Sequence, residues 1–331
     1  MRKRFKLALG ATALVAALYV SNASWRVAPP AEPSVQLIAH RGVHQTYDRT
    51  GLASDTCTAL RIHPPEHAFL ENTIPSMQAA FDAGADIVEL DVHPTTDGQF
   101  AVVHDWTLDC RTNGTGETRY HEMAYLRSLD IGYGYTADGG QTYPFRGQGV
   151  GLMPNLEEVL TAFPAEHFVV NFKSREAREG DMLAALVGSH PEWRPAIWGA
   201  YGGDEPTYRA AELISGLNVW SRRSLIDCLV QYAGLGWSGY MPEACRDTKV
   251  MVPINLAPWL WGWPNLFIER LANNGSQLIL IGPYEGGDPG TAGIDTLDQL
   301  DLVPASFSGY LWTNRIEIIG PALAGRQVAD D

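Results

Sequence analysis

Residues 84–105 read GADIVELDVHPTTDGQFAVVHD, and the architecture turns on this stretch. Positions 87–92 form an apolar, partly β-branched run broken only by Glu89 and Asp91, which reads as a buried strand. The link Thr95-Thr96-Asp97-Gly98 is turn chemistry, and a second apolar run follows at 100–104. A parallel crossover needs about a dozen residues or more, so a link this short makes a hairpin. The run at 100–104 is therefore an appendage of strand 87–92 and not a member of a parallel series.

Outward from it, seven more short apolar runs repeat along the chain, at 35–39, 168–172, 196–199, 218–220, 250–254, 277–281 and 309–312. Helical patterns at 74–83, 156–162, 176–187, 206–214, 225–232 and 266–273 lie between most of them. Strands alternating with helices predict a parallel sheet. Eight such units predict the α/β (β/α)8 TIM barrel, with a small inserted β-hairpin and lid region; another α/β sheet is the alternative. The barrel domain spans 34–331, with an insertion at 43–70.

The chain has 24 basic and 38 acidic side chains and a formal charge of −14, with 45% apolar and 19% charged residues. That apolar content fills a core and excludes a disordered chain. The acidic balance excludes nucleic acid as a partner and leaves only a local basic pocket for phosphate. At the N-terminus Arg2, Lys3, Arg4 and Lys6 precede an uncharged run at 7–20, shorter than the roughly 20 residues of a membrane span. Ser21-Asn22-Ala23 supplies the small-x-Ala pattern of a signal cleavage site. Residues 1–23 are expected to be an export signal, with an uncleaved anchor as the alternative; its removal leaves −18. Residues 24–33 read as a linker, no stable transmembrane anchor is expected, and the protein is expected in the periplasm or secreted. In that oxidising setting the four cysteines predict disulfides, paired as near neighbours: Cys57 with Cys110 and Cys228 with Cys245. The absence of CxxC spacing argues against metal ligation.

Several residues suggest chemistry at the C-terminal strand ends, where barrels build their sites. His40-Arg41-Gly42 closes the first strand. Glu89 and Asp91, at i and i+2, project to one face of the second; two buried acids suit a divalent cation with oxygen ligands or salt bridges to basic residues. Val103-His104-Asp105 follows the hairpin. Glu71-Asn72-Thr73 opens a helix, where capping is the plain reading. Asn171-Phe172-Lys173 ends the third barrel strand and brings a cation to the same rim.

These motifs, with RTNGTG at 111–116, MPNLEEVL at 153–160 and WTNR at 312–315, resemble the glycerophosphodiester phosphodiesterase family. The resemblance implies a barrel that hydrolyses glycerophosphodiesters to glycerol 3-phosphate and an alcohol. It implies His40 and His104 as the catalytic acid–base pair, and Arg41 and Lys173 as phosphate-binding residues, with Glu71 and Asn72 in the pocket wall. Glu89 and Asp91 match two ligands of one divalent cation, Ca²⁺ or Mg²⁺. The family's third acidic ligand corresponds to Asn171 here, whose amide oxygen is a neutral donor.

The substrate is expected to be a small-molecule or lysolipid phosphodiester. The insertion, tied by Cys57–Cys110, is expected to act as a lid over the leaving-group pocket. Trp259, Trp261 and Trp263 follow a strand and read as core packing or as a wall for an acyl chain or sugar, which Tyr284 and Glu285 would extend. Three rival readings are a lysophospholipase D-like enzyme, a non-catalytic exported binding protein that uses Asn171 in a decayed pocket, and a glycosidase. The last normally holds its acids about 5–10 Å apart across a sugar, whereas i, i+2 neighbours suit a shared cation.

Overall fold

The computed structural model describes residues 12–13, 15–53, 56–286 and 292–330. Its nine strands are β1 (Val35–His40), β2 (Ile87–Pro94), β3 (Phe100–Val102), β4 (Phe168–Phe172), β5 (Ile197–Gly202), β6 (Asn218–Ser221), β7 (Lys249–Pro253), β8 (Gln277–Ile281) and β9 (Gly309–Thr313). All but β3 run parallel, in the spatial order β6-β5-β4-β2-β1-β9-β8-β7. Among the described residues no ladder joins β6 to β7; there Thr248 Oγ1 donates to the Val219 carbonyl at 2.8 Å. The result is the expected eight-stranded barrel, nearly closed. As expected, β3 turns back antiparallel on β2, with Val92 opposite Val102 and Pro94 opposite Phe100.

The helices follow from caps and apolar faces. Thr73, not Asn72, caps the helix Ile74–Asp82 in a reciprocal box with Ser76, and Asn155 does the same with Glu158 for Leu156–Ala162. The remaining four expected helices are Ala177–Ser189, Asp204–Leu213, Arg222–Leu235 and Asn265–Ala272. Three more, Met123–Ser128, Leu297–Leu300 and Ile316–Asp330, were not legible in the apolar pattern.

Inside the barrel Ile38, Val169, Trp220, Ile279 and Trp312 form one core, while a larger one fills the space between strands and helices. Tyr201 stacks on Trp220 at 5.2 Å, meets Trp312 edge-on at 6.0 Å, and Trp312 lies 5.1 Å from the His40 ring. This aromatic column, each ring burying about 150–250 Å², is the floor on which the site rests.

Tyr47, Ala59, Ile62 and Leu70 of the insertion pack against Leu108, Leu126, Ile131, Tyr135 and Phe145 in a separate small core. Cys57–Cys110 joins the two halves, and Cys228–Cys245 ties Arg222–Leu235 to the approach of β7, so both expected pairings are present. At the front of the 24–33 segment the Asn265 amide donates to Ser24 Oγ at 3.0 Å. The tryptophans mostly pack against helices: Trp261 Nε1 donates to the Ala233 carbonyl at 2.8 Å and Trp263 lies on Phe267, while Trp259 is exposed.

Candidate active site

After His40 the chain turns sharply, with Arg41 at φ 59° and Gly42 at φ 74°. A Cβ on Gly42 would lie 2.6 Å from Ser76 Oγ and 2.8 Å from the Ser76 backbone, so only glycine lets the strand end press on the helix start. Asn72 also adopts φ 59°. Such strain persists where neighbours over-determine it: the Arg41 amide donates to the Glu89 carbonyl, and the Asn72 amide to the Arg41 carbonyl, each at 3.0 Å.

Glu89, Asp91 and His93 share one face of β2 and are all buried. Asp91 Oδ2 accepts from Asn72 Nδ2 at 2.9 Å and lies 3.1 Å from Arg41 Nε. Asp91 Oδ1 accepts from Asn171 Nδ2 at 2.9 Å and lies 3.4 Å from Lys173 Nζ. Burial alone would raise Asp91, but Lys173 and Arg41 outweigh it and hold the carboxyl well below its ordinary value. Glu89 goes the other way: burial, then the charge of Asp91, push it up. Its Oε1 accepts from the Tyr201 hydroxyl at 2.8 Å.

His40 and His104 flank this pair, and Asp91 is among the charges acting on both rings. Asn314 Nδ2 donates to Asp295 Oδ2 at 2.8 Å, which turns Asn314 Oδ1 toward His40 Nδ1 at 2.6 Å. His40 Nδ1 must therefore carry the hydrogen, leaving the Nε2 lone pair facing Glu89 Oε2 at 3.8 Å. Burial, then Arg41, hold His40 well below the usual histidine value, so the ring is neutral. His104 is also lowered by burial, yet its Nδ1 donates to Asp105 Oδ1 at 2.9 Å. Burial would raise Asp105, but Arg111 and His104 outweigh it, so a carboxylate stands behind His104.

Arg111 organises the wall: its NH1 lies 2.8 Å from Glu71 Oε2 and its Nε donates to Asp105 Oδ2 at 2.9 Å. Glu71 also meets Arg41 NH1 at 3.1 Å. Glu71 and Asn72 thus hold Arg41 and Asp91 in place. Arg41 Nε, although near Asp91, has no hydrogen-bond acceptor in line, and neither has the buried His44 Nε2. His44 meets the His40 ring edge-on at 5.9 Å. Two cavities flank the centre. One, of about 650 Å³, has Lys173, Arg175, Arg222 and Arg223 on its wall. The other, of about 710 Å³, opens between Tyr47–Leu52 of the insertion and Tyr284–Glu285. Trp259, Trp261 and Trp263 line neither.

The donor chemistry fits one divalent cation with fewer charges than a three-acid cage. Among the described residues no group of three or more His, Cys, Asp and Glu surrounds a common position. Arg41 and Lys173 offset Asp91, while Glu89 is pushed toward its neutral form; a divalent cation there would take oxygen from both carboxylates and from the Asn171 carbonyl once its amide turns. Sequence reasoning missed Asn314, Asp295, Tyr201, Arg111 and the role of Asp105. Asn314 stood in the quoted WTNR motif and Arg111 in RTNGTG, each without a task, and Asp105 stood beside His104; Asp295 and Tyr201 carry no local signal.

Residues 40–183 match the model of the glycerophosphoryl diester phosphodiesterase family. A glycerophosphodiester phosphodiesterase of Bacillus subtilis is 38% identical over 126 residues, 36% of this chain and 42% of the relative. A lysophospholipase D of Rattus norvegicus is 29% identical over 39% of this chain and 40% of its own length. The chain thus spans about two fifths of the length of the curated relatives it matches. In fold, the structure of an Oleispira antarctica phosphodiesterase in complex with the product sn-glycerol-3-phosphate aligns with TM-score 0.53 and 18% identity, over 87% of this chain and 96% of that one. It is through residues 40–183, the stretch that carries His40, Arg41, Glu89, Asp91, His104 and Lys173, that this chain is similar to the glycerophosphoryl diester phosphodiesterase family.

Proposed function

We propose that this protein is a metal-dependent phosphoric diester hydrolase that cleaves glycerophosphodiesters to glycerol 3-phosphate and an alcohol. The observation that carries the reading is the unequal support of two imidazoles around Asp91: an amide oxygen behind His40 and a carboxylate behind His104. His40, neutral with its Nε2 lone pair exposed to the centre, acts as general base on the attacking oxygen. His104, backed by Asp105 and lowered in the free protein by burial, then by Arg41 and Lys173, is charged once a phosphodiester anion offsets those two cations, and gives the departing alkoxide its proton. Each role contributes roughly 10²–10⁴ in rate.

A phosphodiester anion gives Arg41 Nε, paired with Asp91 but without an acceptor in line, a hydrogen-bond partner, and Lys173 adds a second cation to the phosphoryl oxygens as charge builds. Glu89, Asp91 and the carbonyl of Asn171 would hold Ca²⁺ or Mg²⁺, whose charge offsets that on the phosphoryl oxygens. Glu71 and Asn72 keep Arg41 and Asp91 in place. A lysolipid leaving group is the second reading, favoured by the roughly 710 Å³ cavity beneath the insertion, which then serves as a pinned wall for the acyl chain.

The test is release of glycerol 3-phosphate from a panel of glycerophosphodiesters, with EDTA and with Ca²⁺ or Mg²⁺ added back separately. Release that EDTA abolishes and one cation restores supports the reading. Binding without hydrolysis under every condition refutes it. Comparing glycerophosphocholine with its acylated analogue separates the two substrate classes.

A further inference from the structure

We propose that the cavity of about 650 Å³ beside Lys173 receives the substrate's alcohol, and that it selects glycerophosphodiesters whose alcohol carries a second anionic group, a phosphate or a carboxylate. The inference rests on the hydrolase reading and names its substrate class. The cavity stands at the C-terminal ends of three neighbouring strands, β4, β5 and β6, on the rim where a barrel builds its chemistry. The middle strand runs out in Gly202 and Gly203. A Cβ on Gly202 would collide with the Phe172 carbonyl oxygen, and one on Gly203 with that of Ser174. Two glycines therefore let the end of β5 press on the turn after β4. They also add no side chain to the cavity that Arg175, after β4, and Arg222, after β6, line from either side of β5.

The chain carries a formal charge of −14, yet Lys173, Arg175, Arg222 and Arg223 all line this one cavity. Three acids line it with them. Asp204 lies 3.3 Å from Arg223 Nε. Glu205 sits in the first turn of Asp204–Leu213, where the helix dipole favours an acid. Asp227 comes one turn after Arg223 on the helix Arg222–Leu235, the spacing at which opposite charges on a helix attract. Lys173, for its part, faces Asp91 at 3.4 Å. That leaves Arg175 and Arg222, whose guanidinium groups have no ion-pair or hydrogen-bond partner among the described residues. Arg222 is moreover set against its own helix: it opens Arg222–Leu235, whose first turn holds no acid. A cation at a helix N-terminus is unfavourable, and an anion placed before that end relieves both charges. The cavity thus runs from the lysine of the reaction centre to two uncompensated arginines. Lys173 holds the scissile phosphoryl group and the arginines hold the second anion, so an alcohol without one gains nothing from them.

Two matched pairs of substrates isolate the second anion. Glycerophosphoserine differs from glycerophosphoethanolamine by one carboxylate, and glycerophosphoinositol 4-phosphate from glycerophosphoinositol by one phosphate. The measurement is kcat/KM for glycerol 3-phosphate release from all four, with Ca²⁺ or Mg²⁺ in excess, at low and at raised ionic strength. The expected result is a preference of about 5- to 30-fold for the anionic member of at least one pair, the worth of two partly exposed ion pairs. Salt is expected to shrink it, and the pair that shows it tells carboxylate from phosphate. Combining Arg175→Gln with Arg222→Gln is expected to bring the ratio close to one. Because the readout is a ratio within one protein, a general loss of activity cancels. Wild-type ratios near one in both pairs, or a preference that the double variant keeps, overturn this inference and leave the hydrolase reading standing. No release from any of the four refutes the hydrolase reading and this inference with it.

Discussion

Replacing Asn314 with leucine, similar in size but without an acceptor, tests the assignment of His40 as the base. In the native protein Asn314 Oδ1 accepts from His40 Nδ1 at 2.6 Å, and Asp295 prevents the amide from turning over. Leucine leaves a buried N–H without a partner, which costs about 1–3 kcal/mol. The ring escapes that cost only by moving its hydrogen to Nε2, which removes the lone pair the mechanism needs. On either route the barrier rises by about that amount, so turnover falls about 5- to 150-fold. Asn314 stands behind His40, so the loss appears in kcat and leaves KM nearly unchanged. The assay is glycerol 3-phosphate release from glycerophosphocholine, with thermal unfolding as the control for the lost Asp295 contacts. Asp295→Asn, which frees the Asn314 amide to flip, is expected to lose less. A leucine variant that folds and keeps kcat within about twofold of wild type refutes the reasoning.

Three further outcomes follow from the same contacts. Arg111→Met leaves Asp105 without its guanidinium and Glu71 with Arg41 alone and is expected to lower unfolding stability by about 3–5 kcal/mol in denaturant titration. Glu71 and Asp105 both have folded values below their ordinary ones, because Arg111 outweighs burial. The folded state therefore binds fewer protons, and their contribution, complete above about pH 4.5, is lost as pH falls through the lower folded values. Unfolding followed from pH 7 downward should show that decline, with a weaker one in the Arg111 variant. Replacing Cys57 and Cys110 with alanine opens a loop with sequence separation 53 and is expected to cost about 4 kcal/mol; unchanged preference between glycerophosphocholine and its acylated analogue would remove the lid from the account.

The sequence carried the barrel because its information there is local. Each strand is a short apolar run, the Thr95–Gln99 link is too short for a crossover, and Gly42 is required by a close approach to Ser76. Glu89 and Asp91 were legible from period-two projection alone. What escaped is what barrel closure brings together. Asn314 reaches His40 only because β9 pairs with β1, and Tyr201 reaches Glu89 from β5, three strands along from β1 by way of β2 and β4. Arg111 comes from the second core, whose helix Met123–Ser128 is too short to leave a periodic trace. Trp261 and Trp263 pack, as aromatics usually do, but composition does not say against which helix. The contact of Asn22 with Arg270 was not legible either, because the two lie far apart along the chain.

Turnover of glycerophosphocholine by the wild type, His40→Ala and His104→Ala, with Ca²⁺ or Mg²⁺ present and folding verified for each, tests the two-imidazole mechanism most directly. The expected result is glycerol 3-phosphate from the wild type and a loss of roughly 10²–10⁴-fold in each variant. Wild-type rates in either folded variant would contradict it.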